Sequence, residues 1–249
     1  MELQALKREV VKFSRRVWER GWVANHDGNV TARIDKRRVL ATPTAFSKAE
    51  VREEDLLVIE LATGKVMAGR HKPFSELSLH LEYYKVREDV TAVLHAHPPV
   101  ATGFAVAGIE VEPRLTPEAV VSLGDRIPII PPAMPGRLEF IQPLRFLGKV
   151  YDVLLLGGHG ALSCGRDLEQ AYLRMELVEH LARIQQAAMI LGNLRLVPDA
   201  WMPELLEKRK KAGLGPDARG GQAAALAREI GSLPAAELIA ALVEKVKNG

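Results

Sequence analysis

Three histidines and one glutamate in this chain stand at spacings suited to divalent-metal chemistry. In Ala92-Val93-Leu94-His95-Ala96-His97-Pro98 the histidines are two positions apart. On a strand that spacing sends both imidazoles to one face, where their nitrogens can converge on one ion. Pro98-Pro99 stops the strand and puts the pair at a rim open to substrate. The competing reading is a pair of hydrogen-bonded histidines at a site edge. His159 follows a second apolar run, inside Gly157-Gly158-His159-Gly160. Its small neighbours permit close backbone approach, so it can complete a three-nitrogen site that leaves coordination positions for substrate oxygens. Taken alone it reads as a turn histidine.

Glu76 stands at an expected helix start and can act as a fourth ligand, a general base, or both at different stages. It reads equally as a carboxylate favoured by the positive end of the helix dipole. His80, four residues on, shares that helix face and suits a supporting role better than a ligand role. Asp27-Gly28-Asn29 and Thr42-Pro43-Thr44 offer turn amides and hydroxyls to an anion, and Ser75 adds a hydroxyl at a helix N-terminus suited to phosphate. Simple turns and a helix cap explain the same residues.

The elements that must hold these groups are legible in outline. Leu3, Leu6, Val10, Phe13 and Val17 recur at helical spacing over 2–20, with Gly21 as a stop. Val30–Ile34, Val39–Ala41, Leu56–Ile59, Val90–His97 and Val153–Leu156 read as strands. Ser75 is expected to cap a helix from Glu76 to about Arg87. Asp167 with Gln170 forms a possible capping box for a long helix to about Leu191, ended by Gly192-Asn193. The stretch between Pro98 and Val153 reads only as Gly- and Pro-rich. A helix from Glu204 through Lys211 precedes a linker over 211–221, and 223–230 and 235–246 read as two helical pieces. This order of helices and strands implies an α/β or α+β layered domain.

Composition supports a folded core and excludes little else. The 249 residues are 47% hydrophobic and 26% charged, enough for one large core and unlike a disordered chain. The 34 Lys and Arg exceed the 31 Asp and Glu by three, so charge demands neither nucleic acid nor an acidic partner. No apolar run approaches the roughly 20 residues of a membrane span, and no signal-peptide core follows the charged N-terminus. The single Cys164 forms no intrachain disulfide. A cytoplasmic protein without membrane or nucleic-acid partners is expected.

Taken in order, Gly28-Asn29-Val30-Thr31, Thr42-Pro43-Thr44, Ser75-Glu76, Ala92-Val93-Leu94-His95-Ala96-His97 and Gly158-His159-Gly160 resemble the class II aldolase/adducin family. The resemblance covers about residues 5 to 208, and the ordered set is far more specific than any member of it. It implies a three-layer αβα sandwich around a largely antiparallel central sheet, assembled as a homotetramer with sites near subunit boundaries. It implies Zn²⁺, or another divalent metal, on His95, His97 and His159, with Glu76 at the acid/base position of the L-fuculose-phosphate aldolase branch. Gly28, Asn29, Thr44 and Ser75 match the family's phosphate-binding arrangement, and Thr42 orients its loop.

Three positions depart from the pattern. Ala45 stands where glycine often follows Thr-Pro-Thr. Phe74 replaces the first serine of a Ser-Ser-Glu triplet, removing a phosphate donor and adding apolar bulk. Gly158 replaces a histidine often found before the third metal histidine. The expected unit is a catalytic domain over 1–211 with a linker and short helical extension over 212–249. The expected reaction is reversible cleavage of a ketose 1-phosphate, such as L-fuculose 1-phosphate, to dihydroxyacetone phosphate and an aldehyde through an enediolate. Epimerisation, dehydration or decarboxylation of a sugar or sugar-acid phosphate are alternatives, as is an adducin-like binding module without catalysis.

Overall fold

The computed structural model describes residues 2–134 and 138–220, together with 225, 226 and 237. In chain order its elements are α1 (Leu3–Glu19), β1 (Asn29–Arg33), β2 (Arg38–Ala41), β3 (Leu57–Glu60), β4 (Val66–Ala68), α2 (Leu77–Val86), β5 (Ala92–Ala96), α3 (Pro99–Ala107), α4 (Pro117–Leu123), β6 (Ile129–Ile130), α5 (Leu138–Leu147), β7 (Val153–Leu156), β8 (Gly160–Gly165), α6 (Leu168–Ile190), α7 (Met202–Lys211) and α8 (Gly215–Arg219). The strands form one sheet in the order β4-β3-β2-β1-β5-β8-β7-β6. Every pairing is antiparallel except β6 with β7.

Strand side chains alternate between two faces, and here both faces are apolar. Ala32, Leu40, Leu94, Val153, Leu155 and Ala161 join Val10, Phe13 and Val17 of α1, Phe104 of α3, and Tyr172, Met175 and Val178 of α6 in one core. Their neighbours in sequence, Val39, Ala41, Val93, Leu154, Leu156 and Leu162, join Leu81 and Tyr84 of α2 and Leu144 and Leu147 of α5 in the other. Helices on both sides of a mixed, largely antiparallel sheet make the three-layer αβα architecture expected from the sequence.

Element by element the expectations meet particular corrections. Ser75 does not cap α2: the N-cap is Glu76, without a side-chain cap hydrogen bond. The Asp167 cap of α6 is present, accepting from Gln170 N at 2.7 Å. Gln170 Oε1 in turn accepts from Arg166 N at 3.0 Å, one residue earlier than a capping box requires. The Pro-rich middle contains α3, α4, β6 and α5. Pro99 and Pro117 lie in first turns, where the missing N–H costs nothing and the fixed φ favours helix. Strand β8 begins and ends in glycine and is buried throughout. Within the stretch read as linker, Gly215–Arg219 is a short helix. The helical pieces expected over 223–230 and 235–246 lie outside the described residues, apart from 225, 226 and 237.

One buried carboxylate ties the last elements to the sheet. Asp152, 1% exposed just before β7, is 2.7 Å from Arg87, 2.9 Å from Arg174, 2.8 Å from Arg209 and 3.6 Å from Arg219. Burial pushes its carboxyl up, but Arg174, Arg87, Arg209 and Arg219 together hold it well below the usual carboxylate range. Arg209 also donates to the Val121 and Ser122 carbonyls, and Arg219 to those of Lys149 and Val150. Among the described residues no helix is long and apolar enough to cross a membrane.

Candidate metal centre

The site forms where β5 runs out between β1 and β8. His95 has the parity of Val93, so its side chain projects to the α2 side of the sheet. Its Cα pairs with Asn29 in β1 and Leu162 in β8. The strand ends at Ala96, one residue short of the expected His97, whose N–H instead donates to Trp22 O at 2.8 Å. The extended course nonetheless carries His97 to the same face: His95 Nε2 and His97 Nε2 are 3.1 Å apart.

His159 lies in the tight turn between β7 and β8, made by Gly158 at φ 66°, and closes the triangle. The three ring centroids are 4.7 to 5.0 Å apart. One nitrogen from each ring lies within 4.8 Å of the others, so this donor set fits a single divalent ion. Gly160 makes the approach possible, because a Cβ there would sit 2.6 Å from both the Ala96 carbonyl and His97 Cδ2.

The environment keeps the ring nitrogens available as lone-pair donors. His95 is 1% exposed, and its Nδ1–H donates to Ala161 O at 2.9 Å, which turns the Nε2 lone pair inward. Burial, followed by His97, His159 and His80, pushes the His95 pKa well below its ordinary value. Burial and His159 lower that of His97 against the opposing pull of Asp27 and Glu76.

Glu76 approaches from the start of α2, with Oε1 3.7 Å from His159 Nε2. Ser75 Oγ at 2.8 Å and Asn29 Nδ2 at 3.4 Å both donate to its other oxygen, Oε2. Two residues expected to face phosphate therefore orient the carboxylate here, and the second Asn29 amide hydrogen has no part in that contact. Gly28 packs under the site at φ 74°, where a Cβ would fall 2.3 Å from Val23 Cγ1 and 3.1 Å from the His95 carbonyl. Thr44 N donates to Lys72 O at 3.0 Å, tying its loop to the segment that leads into Ser75. Thr42 is buried and its Oγ1 accepts from Val30 N at 3.2 Å, the loop-orienting contact the resemblance implies.

Two departures from the family pattern have local explanations. Phe74 turns inward, 5% exposed and 5.0 Å from the His80 ring, so its bulk fills the α2 core and not the rim beside Glu76. Ala45 takes φ 62°, the left-handed conformation glycine adopts most easily. His80 is wholly buried, with Nδ1 2.9 Å from Thr31 Oγ1, which in turn is 2.8 Å from Tyr84 OH. Its Nε2 has no partner among the described residues, and burial pushes its pKa down to about 3.

Two charged residues stand at the site in ways sequence reasoning did not give them. Asp27 Oδ2 is 3.6 Å from His97 Nδ1. Lys48, 1% exposed, donates to the carbonyls of His26 at 3.1 Å and Phe46 at 2.8 Å. Burial pushes its ammonium down to about 8 against the pull of Asp27 and Glu76. Asp27 was read only as part of a turn offered to an anion, and nothing local marks Lys48 as buried.

Residues 8–186 match the model of the Class II Aldolase and Adducin N-terminal domain. The chain is 34% identical over 182 residues to the L-fuculose phosphate aldolase of Methanococcus vannielii, covering 73% of this chain and 96% of the relative. It is 29% identical over 197 residues to a 3-oxo-tetronate 4-phosphate decarboxylase of Pectobacterium atrosepticum, covering 78% and 88%. A solved L-fuculose 1-phosphate aldolase superposes with a TM-score of 0.76 at 26% identity, covering 83% of this chain and 96% of that one. The chain belongs to the class II aldolase and adducin family.

Proposed function

We propose that this protein is a Zn²⁺-dependent aldolase that reversibly cleaves a ketose 1-phosphate, such as L-fuculose 1-phosphate, into dihydroxyacetone phosphate and an aldehyde through an enediolate. The observation that carries the reading is the convergence of His95, His97 and His159 beside an oriented Glu76 carboxylate. The three imidazoles hold the ion. When bound, such an ion supplies Lewis-acid stabilisation of negative charge on the substrate's carbonyl and neighbouring hydroxyl oxygens.

Glu76 performs the proton transfer. With Oε2 held by Ser75 and Asn29, Oε1 faces His159 of the triad at 3.7 Å, and its role is to take the proton from, or return it to, the carbon beside the substrate carbonyl. Gly28, Asn29, Thr44 and Ser75 receive the phosphate: Asn29 gives its second amide hydrogen, and Ser75 turns its single hydroxyl hydrogen from Glu76 to the anion when the phosphate binds, leaving Asn29 to hold the carboxylate. The catalytic unit is 1–211, and 212–249 is a C-terminal extension whose first helix, Gly215–Arg219, is tied back to that unit through Arg219. The protein works as a cytoplasmic homotetramer with sites near subunit boundaries.

The resemblance to the Pectobacterium protein favours a second reading, decarboxylation of a sugar-acid phosphate with the same ligands and the same Glu76. An adducin-like binding module is disfavoured, because binding alone requires neither the three imidazoles nor Glu76. The discriminating experiment offers Zn²⁺-loaded protein dihydroxyacetone phosphate with a panel of aldehydes and identifies products by mass. Carbon–carbon bond formation that falls about 10²- to 10⁴-fold in Glu76→Gln is expected. Release of CO₂ from a 3-oxo sugar-acid phosphate, with no condensation product, would replace the aldolase reading with the decarboxylase one.

A further inference from the structure

A metal-binding imidazole has two nitrogens, and the partner of the outer one decides whether the inner one presents a lone pair or a hydrogen. At His95 the Ala161 carbonyl settles this, since it accepts only a hydrogen from Nδ1. His97 points Nε2 inward, 3.1 Å from His95 Nε2. On its outer side the group facing Nδ1 is the Asp27 carboxylate, at 3.6 Å. We propose that Asp27 is a positioning residue for the metal centre, holding the Nδ1–H of His97 so that the Nε2 lone pair faces the ion, and that Lys48 fastens the loop that carries it. The inference rests on the reading of His95, His97 and His159 as metal ligands.

The loop is built for that task. Asp27 N donates to Ala24 O at 2.9 Å, closing a turn in which Asn25 takes φ 49°. On one side of Asp27, the His26 carbonyl accepts from Lys48 Nζ at 3.1 Å. On the other, Gly28 is pressed against Val23 and the His95 carbonyl with no room for a side chain. The same Lys48 ammonium holds the Phe46 carbonyl at 2.8 Å, so one buried cation ties the loop before β1 to the loop after β2. With both neighbours fixed, the Asp27 side chain keeps local freedom at 46% exposure. A swing of about half an ångström brings it to hydrogen-bond distance of Nδ1.

The role predicts an effect on metal affinity that does not depend on turnover. Apo protein is titrated with Zn²⁺ against a chromophoric chelator for wild type, Asp27→Ala, Asp27→Asn, Lys48→Met and His97→Ala. Asp27→Ala is expected to bind Zn²⁺ about 10- to 100-fold more weakly. Asp27→Asn, whose amide oxygen still accepts the Nδ1 hydrogen, loses less, and Lys48→Met weakens binding in the same direction. In the apo protein the 3.1 Å contact with the His95 Nε2 lone pair favours a hydrogen on His97 Nε2, so nitrogen-15 NMR is expected to show a larger Nδ1–H fraction for His97 in wild type than in Asp27→Ala.

Wild-type Zn²⁺ affinity and an unchanged His97 tautomer in Asp27→Ala would overturn the inference while leaving the metal centre intact. Wild type that binds no Zn²⁺, or binds it no better than His97→Ala, would overturn both. Asp27 is half exposed, so its variants remain informative even if Lys48→Met fails to fold.

Discussion

Lowering the pH is expected to destabilise the apo protein through His80, and the size of the effect follows from its surroundings. His80 is fully buried and its pKa falls to about 3, whereas in the unfolded chain it titrates near its ordinary value of about 6.5. The unfolded state therefore binds a proton between those values that the folded state refuses. The stability contribution is complete above about pH 6.5 and is lost as pH falls. Between about pH 7.5 and pH 5 the loss from this one residue is about 2 kcal/mol, a large share of a typical total of about 5–15 kcal/mol.

His95 and His97, also shifted down, add losses of the same sign, so wild type alone does not isolate His80. The comparison is with His80→Leu, with urea unfolding of metal-free protein at fixed concentration at both pH values. Wild type is expected to lose about 2 kcal/mol more than the variant across that interval. Equal losses in the two proteins would refute the reasoning, because His80 would then bind its proton as readily folded as unfolded.

Two further substitutions test the scaffold. Asp152→Ala leaves the guanidinium groups of Arg87, Arg174, Arg209 and Arg219 around an empty centre. It should cost about 3–5 kcal/mol in urea unfolding, and a loss below about 1 kcal/mol would show that the arginines find other partners. Ala45→Gly removes the left-handed strain at φ 62°, worth about 1–2 kcal/mol, but adds unfolded-state entropy of about 0.5–1 kcal/mol. Melting measurements should therefore show at most a small stabilisation; a clear loss would mean that the Ala45 methyl makes a contact worth more than the strain.

The parts of the site legible in the sequence were those written locally. His95 and His97 announce themselves because a two-residue repeat on extended chain fixes their common face, and the glycines around His159 signal a tight turn. The unbroken apolar run Val153-Leu154-Leu155-Leu156 marks a strand, and the structure divides those side chains between the two cores. Features made by distant chain segments were not legible. Lys48 looks like any surface lysine until the carbonyls of His26 and Phe46 close on it. Phe74 looked like an obstruction at the rim because the direction of its side chain is set by the His80 ring, not by its sequence neighbours. Strand β8 was hidden by terminal glycines, whose value lies in close approach to other backbone: at Gly165 an added Cβ would meet Ala171 N at 2.6 Å. Pro99 follows the strand stop read from the sequence and also opens α3, and Pro117, within the stretch read only as Gly- and Pro-rich, opens α4.

The arginine ring around Asp152 has a consequence for the order in which the chain is made. Its members are drawn from positions 87, 152, 174, 209 and 219, so a ribosome delivers the carboxylate well before half of its counterions. A nascent chain that has reached α6 has the sheet strands and all three histidines, yet Asp152 has met only Arg87 and Arg174. Closure waits for α7 and α8. Synthesis that stops short of Arg209 thus leaves a nearly complete core with its buried charge half compensated, and such a product is the one a quality-control protease would meet in an open state.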